Sequence, residues 1–493
     1  MSQLLLISAP IIVFLGAFFL TILSLYKKVA TSTFITISTT ILVVALIVEI
    51  INFSGVYSYL PYTDIFNNSL VFDTFSNFFT ILLIFGTIFI VLITHRSLEE
   101  FKYFKGEYFA LLLFSLFGMM MLSHSNELFT AYISLEIASF AIYILIGFKK
   151  TKIQSEAVLK YLVFSSFIGI FFLLGAILVY AVVGSTNMND IVAFIANKPF
   201  EELKLLFIAL SLMLFLFLFK IAAFPFQGWV LDVYKGAPTH ITAFMASVFK
   251  IAIFSFFLRL FLENQNILEP YWDNILYLII VLTILYGSWL AIVQDNVEIM
   301  LVASSIVHTG YILMGLIAIG QSDAAAYSIM FYLIAYLLSA VVSFGVVSIV
   351  VTELKTKPLL DNFNGLAKKR PFMSAAITIA LLSLAGVPST IGFIAKFYIF
   401  TQIVHAGYWP LALFGVLATF VSIYYYFRVI ARIYFYDRKE SQHFVHLQLG
   451  SYAILFATFL IILGGVGSAL VYFIPSINID AIMNLSEIAI KSI

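Results

Sequence analysis

Four ionisable side chains lie within apolar segments that are long enough to cross a membrane: Glu136, Lys220, Lys250 and Lys396. A lysine at the centre of a membrane-spanning helix costs roughly 2.5 to 3.5 kcal/mol on an insertion scale. Such a charge needs a partner or a water-filled cavity, and in membrane proteins it usually serves a function. These four residues therefore constrain the fold and the candidate site together.

The composition places most of the chain in lipid. Of the 493 residues, 63% are hydrophobic and 10% are charged, and the mean hydropathy is +1.09. These values predict an all-α integral membrane protein with many transmembrane helices. The net charge of +1 gives no indication of nucleic acid as a partner. The absence of cysteine excludes disulfides, thiolate-held iron-sulfur clusters and cysteine-bound zinc.

Apolar runs of about twenty residues predict about fourteen transmembrane helices. The predicted helices start near Leu4, Phe34, Thr74, Tyr108, Leu128, Ala157, Leu203, Ile241, Asn274, Val297, Ala324, Met373, Trp409 and Tyr452. Most of the 26 lysines and arginines fall in alternate loops, which predicts that both termini lie on the outer side. The first run lacks a basic leading segment and a cleavage site, so we expect a retained helix and no signal peptide.

The seventh and twelfth predicted helices contain helix breakers. Pro225 follows Lys220 by five residues, and Pro388 precedes Lys396 by eight. A proline at membrane depth frees a carbonyl group, which is tolerated only where protein or cavity water binds it. Paired broken helices in two halves of a chain predict inverted repeats, with a site near the middle of the membrane.

Several candidate residues have a simpler explanation. Lys396 could extend to the interface, and Glu136 could be a hydrogen-bonded structural carboxylate. Lys160 follows Glu156 by one helical turn, which suits a plain salt bridge as well as a proton-transfer role. His308 could relay protons or could be a packing histidine. The tyrosines at 424–426 are predicted to form an interfacial aromatic belt.

Four segments resemble the antiporter-like membrane subunits of respiratory complex I, an NADH-quinone oxidoreductase. They are SLEIASFAIYIL from Ser134, SEAVLKY from Ser155, FKIAAFPFQGWVLDVYKGAP from Phe219 and SLAGVPSTIGFIAKF from Ser383. The segment 232–238 resembles the N type among these subunits, and the resemblance extends from about Glu107 to Tyr436.

The resemblance implies a fourteen-helix subunit with two inverted five-helix repeats, helices 4–8 and 9–13, in which helices 7 and 12 are broken. The implied regions are 1–106 for the first three helices, 107–263 and 264–440 for the repeats, and 441–493 for the last helix and tail. The implied proton-translocating residues are Glu136, Lys220, Lys250 and Lys396, together with Lys160 and His308, and Pro225 and Pro388 would break the helices.

The resemblance also implies the function: a proton-translocating subunit of a bacterial inner-membrane NADH-quinone oxidoreductase, without redox chemistry of its own. This subunit would hold no cofactor and no metal, because NADH, flavin, iron-sulfur clusters and quinone would belong to partner subunits. The implied partners are the M and L types, the small J and K types, and the lipid bilayer.

Two other functions stay open. A subunit of an Mrp-type cation/proton antiporter would share the lysine and glutamate chemistry. A structural scaffold would not need four intramembrane charges and two broken helices.

The sequence departs from the family pattern at two places. Glu298 and Ile299 stand where the family commonly has Lys-Arg, and Gln227 replaces a histidine beside the first helix break. The first departure reverses a charge on the side from which protons would be taken up. Proton uptake is therefore the part of the site that the resemblance predicts least well.

Overall fold

The computed structural model describes residues 6–26, 29–54, 66–99, 105–196, 198–263, 265–321, 323–437 and 449–470, together with 486, 489 and 490. These residues are almost entirely helical. Twelve of the described helices are long and apolar enough to cross a membrane, so the prediction of an all-α multi-pass membrane protein is confirmed.

The helices follow one another along the chain with short connections. They are α1 Ser8–Ser24, α2 Thr31–Phe53, α3 Thr74–Glu99, α4 Lys105–His124, α5 Leu128–Ile146, α6 Lys152–Val183, α7 Met188–Ala196, α8 Phe200–Lys220, α9 Val230–Gly236, α10 Thr239–Phe244, α11 Lys250–Glu263, α12 Gln265–Val293, α13 Val297–Ile317, α14 Asp323–Leu354, α15 Leu366–Lys369, α16 Pro371–Ala385, α17 Ile391–His405, α18 Trp409–Phe435 and α19 Leu449–Leu470. A π-helical turn, Met245–Phe249, joins α10 to α11.

Three shorter apolar helices, α1, α16 and α17, supplement the twelve long ones. Because α16 and α17 together occupy the predicted twelfth span, the pattern is compatible with fourteen spans. The exact number of transmembrane spans and the presence of inverted repeats stay predictions. The chain termini, at 1–5 and 491–493, lie outside the described residues, as does most of the predicted tail.

Two helices form the centre of the bundle. Residues 240–261 and helix α13 are buried along their whole length. By contrast, α5, α6 and α18 expose large apolar side chains such as Phe140, Phe167 and Phe420. Exposed apolar faces of this kind suit lipid or neighbouring membrane subunits.

The first helix break begins directly after Lys220, where α8 ends. Pro225 lies in the turn that follows, and the chain becomes helical again at Gln227. Side chains bind the carbonyl groups that the break releases: the Trp229 indole donates to Phe219 O at 3.1 Å, and Thr309 donates to Ile221 O at 3.1 Å. The broken backbone is thus satisfied inside the protein, as the hydrocarbon environment requires.

The second break separates α16 from α17. Gly386 ends α16 with a φ of 78°, a left-handed conformation that glycine adopts without steric cost, and Pro388 lies in the following turn. Helix α17 then starts after Thr390, whose hydroxyl caps it by accepting from Phe393 N. Both proline-containing segments therefore interrupt their helices.

A basic residue missing from the loop sequence at 294–298 is supplied by a distant helix. Arg428 of α18 donates to the carbonyl of Ile292 at 3.1 Å and to that of Gln294, and lies 3.8 Å from the Asp295 carboxylate. A cation at a helix carboxyl end is favourable, because the last carbonyl groups carry partial negative charge. A cation from α18 thus lies beside a loop that has none of its own.

A buried ion pair connects α3 to α11. The Arg259 guanidinium donates to both carboxylate oxygens of Asp73, at 2.9 and 2.8 Å, and to the Ser76 hydroxyl at 2.8 Å. Both side chains of the pair are almost completely buried. Asp73 also caps α3, because its Oδ1 accepts from Ser76 N at 2.7 Å.

Candidate functional site

Lys220 is the last residue of α8, and its side chain is buried beside the first helix break. Its Nζ donates to the Ser139 hydroxyl at 2.8 Å, and Ser139 in turn donates to Leu135 O at 2.7 Å. The rings of Tyr143 and Tyr161 lie 5.7 and 5.1 Å from the same Nζ, within the range of cation–π contacts. The ammonium group is therefore held by one hydroxyl and by aromatic faces.

Glu136 lies one helical turn before Ser139, the residue that binds Lys220. Its carboxylate forms no ion pair within 4.0 Å among the described residues, and its Oε1 is buried without a hydrogen-bond partner there. The structure therefore brings the two predicted residues to one region without an ion pair between them, and Ser139, which binds Lys220, lies one turn from Glu136 on α5. Because the electrostatic attraction between two charges depends on their distance, a small shift of α5 would change the attraction between Glu136 and Lys220.

Lys250 follows the π-helical turn and is buried in the centre of the bundle. Its Nζ donates to Ser305 O at 2.9 Å, to Ser305 Oγ at 3.2 Å and to Thr309 Oγ1 at 2.9 Å. Because the Thr309 hydroxyl also reaches Ile221 O, the carbonyl directly after Lys220, one side chain links the two lysine sites.

His308 is buried on α13, next to Thr309. Its Nδ1 lies 2.6 Å from the Tyr332 hydroxyl, and its Nε2 lies 3.3 Å from the Tyr426 hydroxyl, which also contacts Ser304. Both ring nitrogens thus have hydroxyl partners, an arrangement that serves either packing or proton relay.

Lys396 lies on α17 with its side chain buried, and it turns back toward the helix break. Its Nζ donates to the carbonyl groups of Leu384 at 2.9 Å and Ala385 at 3.2 Å, the last residues of α16. The ammonium therefore binds the negative end of a half-helix, and the alternative that it extends to the interface is wrong.

A cavity of about 10 Å³ separates His308 from Lys396, and Tyr336, Ser339 and Ser383 contribute to its walls. This volume is at the lower limit for one water molecule. The Nζ of Lys396 also lies 4.7 Å from the ring of Tyr311 on α13. Helix α13 consequently contacts both Lys250 and Lys396, and it connects the buried lysines of the two halves.

Lys160 has a different environment from the other lysines. Its Nζ lies 2.8 Å from the Glu156 carboxylate and 2.7 Å from that of Asp232 on α9, and its side chain is 37% exposed. The predicted salt bridge with Glu156 is present, and Asp232 extends it from α6 to α9, the short helix after the first break. A role in proton transfer stays a prediction for this residue.

The structure corrects one prediction and adds a residue. Tyr424 is exposed, but Tyr425 and Tyr426 are fully buried, so the predicted aromatic belt is wrong for these two. Their adjacent positions in the sequence gave no sign of this, because only the packing of α18 against α13 and α16 turns them inward. Tyr426 thereby becomes a partner of His308.

The described residues contain no group of three or more His, Asp or Glu side chains arranged to hold a metal ion. What the site does contain is a series of amines, hydroxyls and one imidazole. All of these groups can accept or donate protons, and none of them is a typical redox group.

Comparison with known proteins identifies the family. Residues 125–422, which include all the site residues predicted from the sequence, match the family of NADH:quinone oxidoreductase/Mrp antiporter transmembrane proteins. The NADH-quinone oxidoreductase subunit N of Trichlorobacter lovleyi is 38% identical over 76% of this chain and 77% of its own length. This chain belongs to the subunit N family.

Solved structures agree with membership of the subunit N family. A chain of respiratory complex I from Thermus thermophilus is 27% identical, covering 94% of this chain and 98% of its own, with a TM-score of 0.78. A chain of the Mrp complex from Dietzia sp. has a TM-score of 0.82 but 17% identity, covering 99% of this chain and 97% of its own. The second likeness shows a shared fold and no more.

Proposed function

We propose that this chain translocates protons across the membrane as the antiporter-like N subunit of an NADH-quinone oxidoreductase. The observation that supports this most directly is the series of three buried lysines, Lys220, Lys250 and Lys396, which hydroxyls, a histidine and a small cavity connect through the interior. Membership of the subunit N family adds the reaction to which translocation is coupled.

In the assembled enzyme, NADH, flavin, iron-sulfur clusters and quinone would bind to partner subunits, and this chain would contact other antiporter-like subunits. The membrane would be the inner membrane of a bacterium, with both termini on its outer side. The Mrp-type alternative is less supported, since the relatives at 32–38% identity over most of the chain are N subunits.

Translocation would depend on charge. The negative charge of Glu136, one turn from Ser139, favours the protonated form of Lys220, while burial opposes it. When quinone reduction moves or neutralises that charge, Lys220 releases its proton. The proton passes by way of Thr309 and Lys250, and then His308, to Lys396, which releases it on the outer side. The titrations of these groups are coupled, so no single protonation step belongs to one residue.

The substitution Lys220→Ala is expected to abolish most proton pumping by this subunit, because it removes the amine next to Ser139 and Glu136. Pumping and quinone reduction should be measured together in inverted membrane vesicles containing the assembled enzyme. Lys204→Ala is the matched control, because Lys204 lies on the same helix but forms only an exposed pair with Glu201. Pumping that equals the control in the Lys220→Ala enzyme would show the proposal to be wrong.

A further inference from the structure

A second cavity, of about 640 Å³, lies between the start of α10 and the end of α14. The residues around it include Lys149, Pro238, Thr239, His240, Thr352 and Lys355. They come from three connections that the charge pattern assigns to the inner side of the membrane. The cavity is large enough to hold many water molecules at this end of the bundle.

Glu298 lies directly behind the wall of this cavity. Its Oε2 accepts from the hydroxyl of Thr239, one of the lining residues, at 3.0 Å. The side chain is 7% exposed, and its Oε1 is buried without a hydrogen-bond partner among the described residues. The fully buried Thr242 hydroxyl, one turn along α10, lies beside the same carboxylate.

A buried carboxylate is costly unless it is paired or neutral, and this one has no cation within 4.0 Å among the described residues. The arrangement instead gives it the Thr239 hydroxyl on the cavity side and the Thr242 hydroxyl one turn further along α10. Such a group can take up a proton from one side and release it on the other.

The helix that carries Glu298 also carries the partners of Lys250. Ser305 and Thr309 follow Glu298 by seven and eleven residues, so the three side chains share one face of α13. Ser305 lies about 10 Å along the axis from Glu298, at 1.5 Å per residue. Both hydroxyls bind the Lys250 ammonium, so this face leads from the cavity to the central lysine.

We propose that Glu298 is the proton-uptake residue of this subunit, which takes protons from the cavity beside Thr239 and passes them along α13 to Lys250. The inference rests on the proposed function. In the first step the carboxylate accepts a proton from cavity water and becomes a neutral carboxylic acid. In the second it releases that proton, through hydroxyl groups and water, to the neutral amine of Lys250, which becomes an ammonium while the carboxylate is restored.

Glu298→Gln tests the proposal, because the amide keeps the shape and can still accept from Thr239 but cannot carry a proton. Proton uptake by the assembled enzyme in inverted vesicles should slow about tenfold or more, since loss of a positioned acid–base group typically costs on the order of 10². Glu298→Asp should retain most of the rate. Glu107→Gln, which removes a carboxylate in the first turn of α4, is the matched control.

Infrared difference spectroscopy of the same samples distinguishes a proton-carrying Glu298 from a purely structural one, because only a change in its protonation alters the carboxylic-acid bands. A carboxylic-acid band that responds to turnover should be present in the unmodified enzyme and missing in Glu298→Gln. If Glu298→Gln pumps normally while Lys220→Ala does not, the uptake role is wrong and the proposed function stands. If both variants pump normally, the uptake role and the proposed function are both wrong. If Gln and Asp variants lose pumping equally and no such band exists, Glu298 is structural and the uptake role is wrong.

Discussion

Gly392→Ala is expected to abolish proton pumping by displacing Lys396, although residue 392 does not itself carry a proton. A Cβ at position 392 would lie 1.9 Å from the backbone oxygen of Ser383 and 2.8 Å from its hydroxyl. The oxygen belongs to the last turn of α16 and cannot move as a flexible side chain could. Helix α17 must therefore shift away from α16, at a cost of about 3 kcal/mol, the upper end of the usual range for overpacking.

The shift would separate Lys396 from the carbonyl groups of Leu384 and Ala385, because the lysine lies one turn after Gly392 on the same helix. It would also open the small cavity between Lys396 and His308, which both Gly392 and Ser383 line. Pumping and quinone reduction in vesicles, with the amount of assembled enzyme measured in parallel, check the expectation. We expect pumping to fall far more than quinone reduction.

Gly228→Ala is the control, because it adds the same methyl group beside the other helix break, where no atom lies within 4 Å. It should pump normally. If Gly392→Ala prevents assembly, Ser383→Ala replaces it, since this change removes the hydroxyl that accepts from Gly392 N at 3.2 Å without introducing a clash. Normal pumping by Gly392→Ala would contradict the close packing of the two half-helices.

Arg259→Met is expected to lower the stability of the subunit by about 3–5 kcal/mol, because it leaves the Asp73 carboxylate buried without its charged partner. The enzyme should assemble in smaller amounts and lose activity faster on heating. The half-life of quinone reduction at elevated temperature, measured on the purified enzyme, is the appropriate quantity, since a large complex rarely unfolds in one reversible step.

The double variant Asp73→Asn/Arg259→Met separates the ion pair from the shape of the side chains. The asparagine can still cap α3, and no unpaired charge stays buried, so the double variant should be more stable than Arg259→Met alone. Lys204→Ala, which breaks an exposed pair with Glu201, should change the half-life little. A double variant no more stable than Arg259→Met would show that the loss comes from packing.

Local sequence patterns were sufficient to predict much of the fold. Runs of about twenty apolar residues are sufficient to predict spanning helices, because the bilayer leaves no other way to satisfy backbone polar groups. The two helix breaks were also predictable from the sequence, because proline lacks a backbone N–H and its ring clashes with the preceding turn of a helix. The depth of Lys220 and Lys250 followed from their distance to the ends of their apolar runs.

The partners of these residues did not follow from the sequence. No local pattern marks a partner for Arg259, because its burial against Asp73 depends on a contact across 186 positions of the chain. A run of tyrosines is typical of an aromatic belt at the membrane interface, but the packing of α18 turns Tyr425 and Tyr426 into the protein interior. The sequence showed that Glu298 reverses the charge usual in the family, but it did not predict that this side chain is buried beside Thr239.

The sequence by itself determined that this is a membrane protein with charges inside its apolar segments, two of them on broken helices, because the cost of those charges and breaks is a property of single residues in lipid. Only the tertiary structure decided what the charges contact. It holds Lys220 against Ser139, Lys250 against α13 and Lys396 against the end of α16, since hydrogen bonds between helices depend on distances that no local pattern encodes.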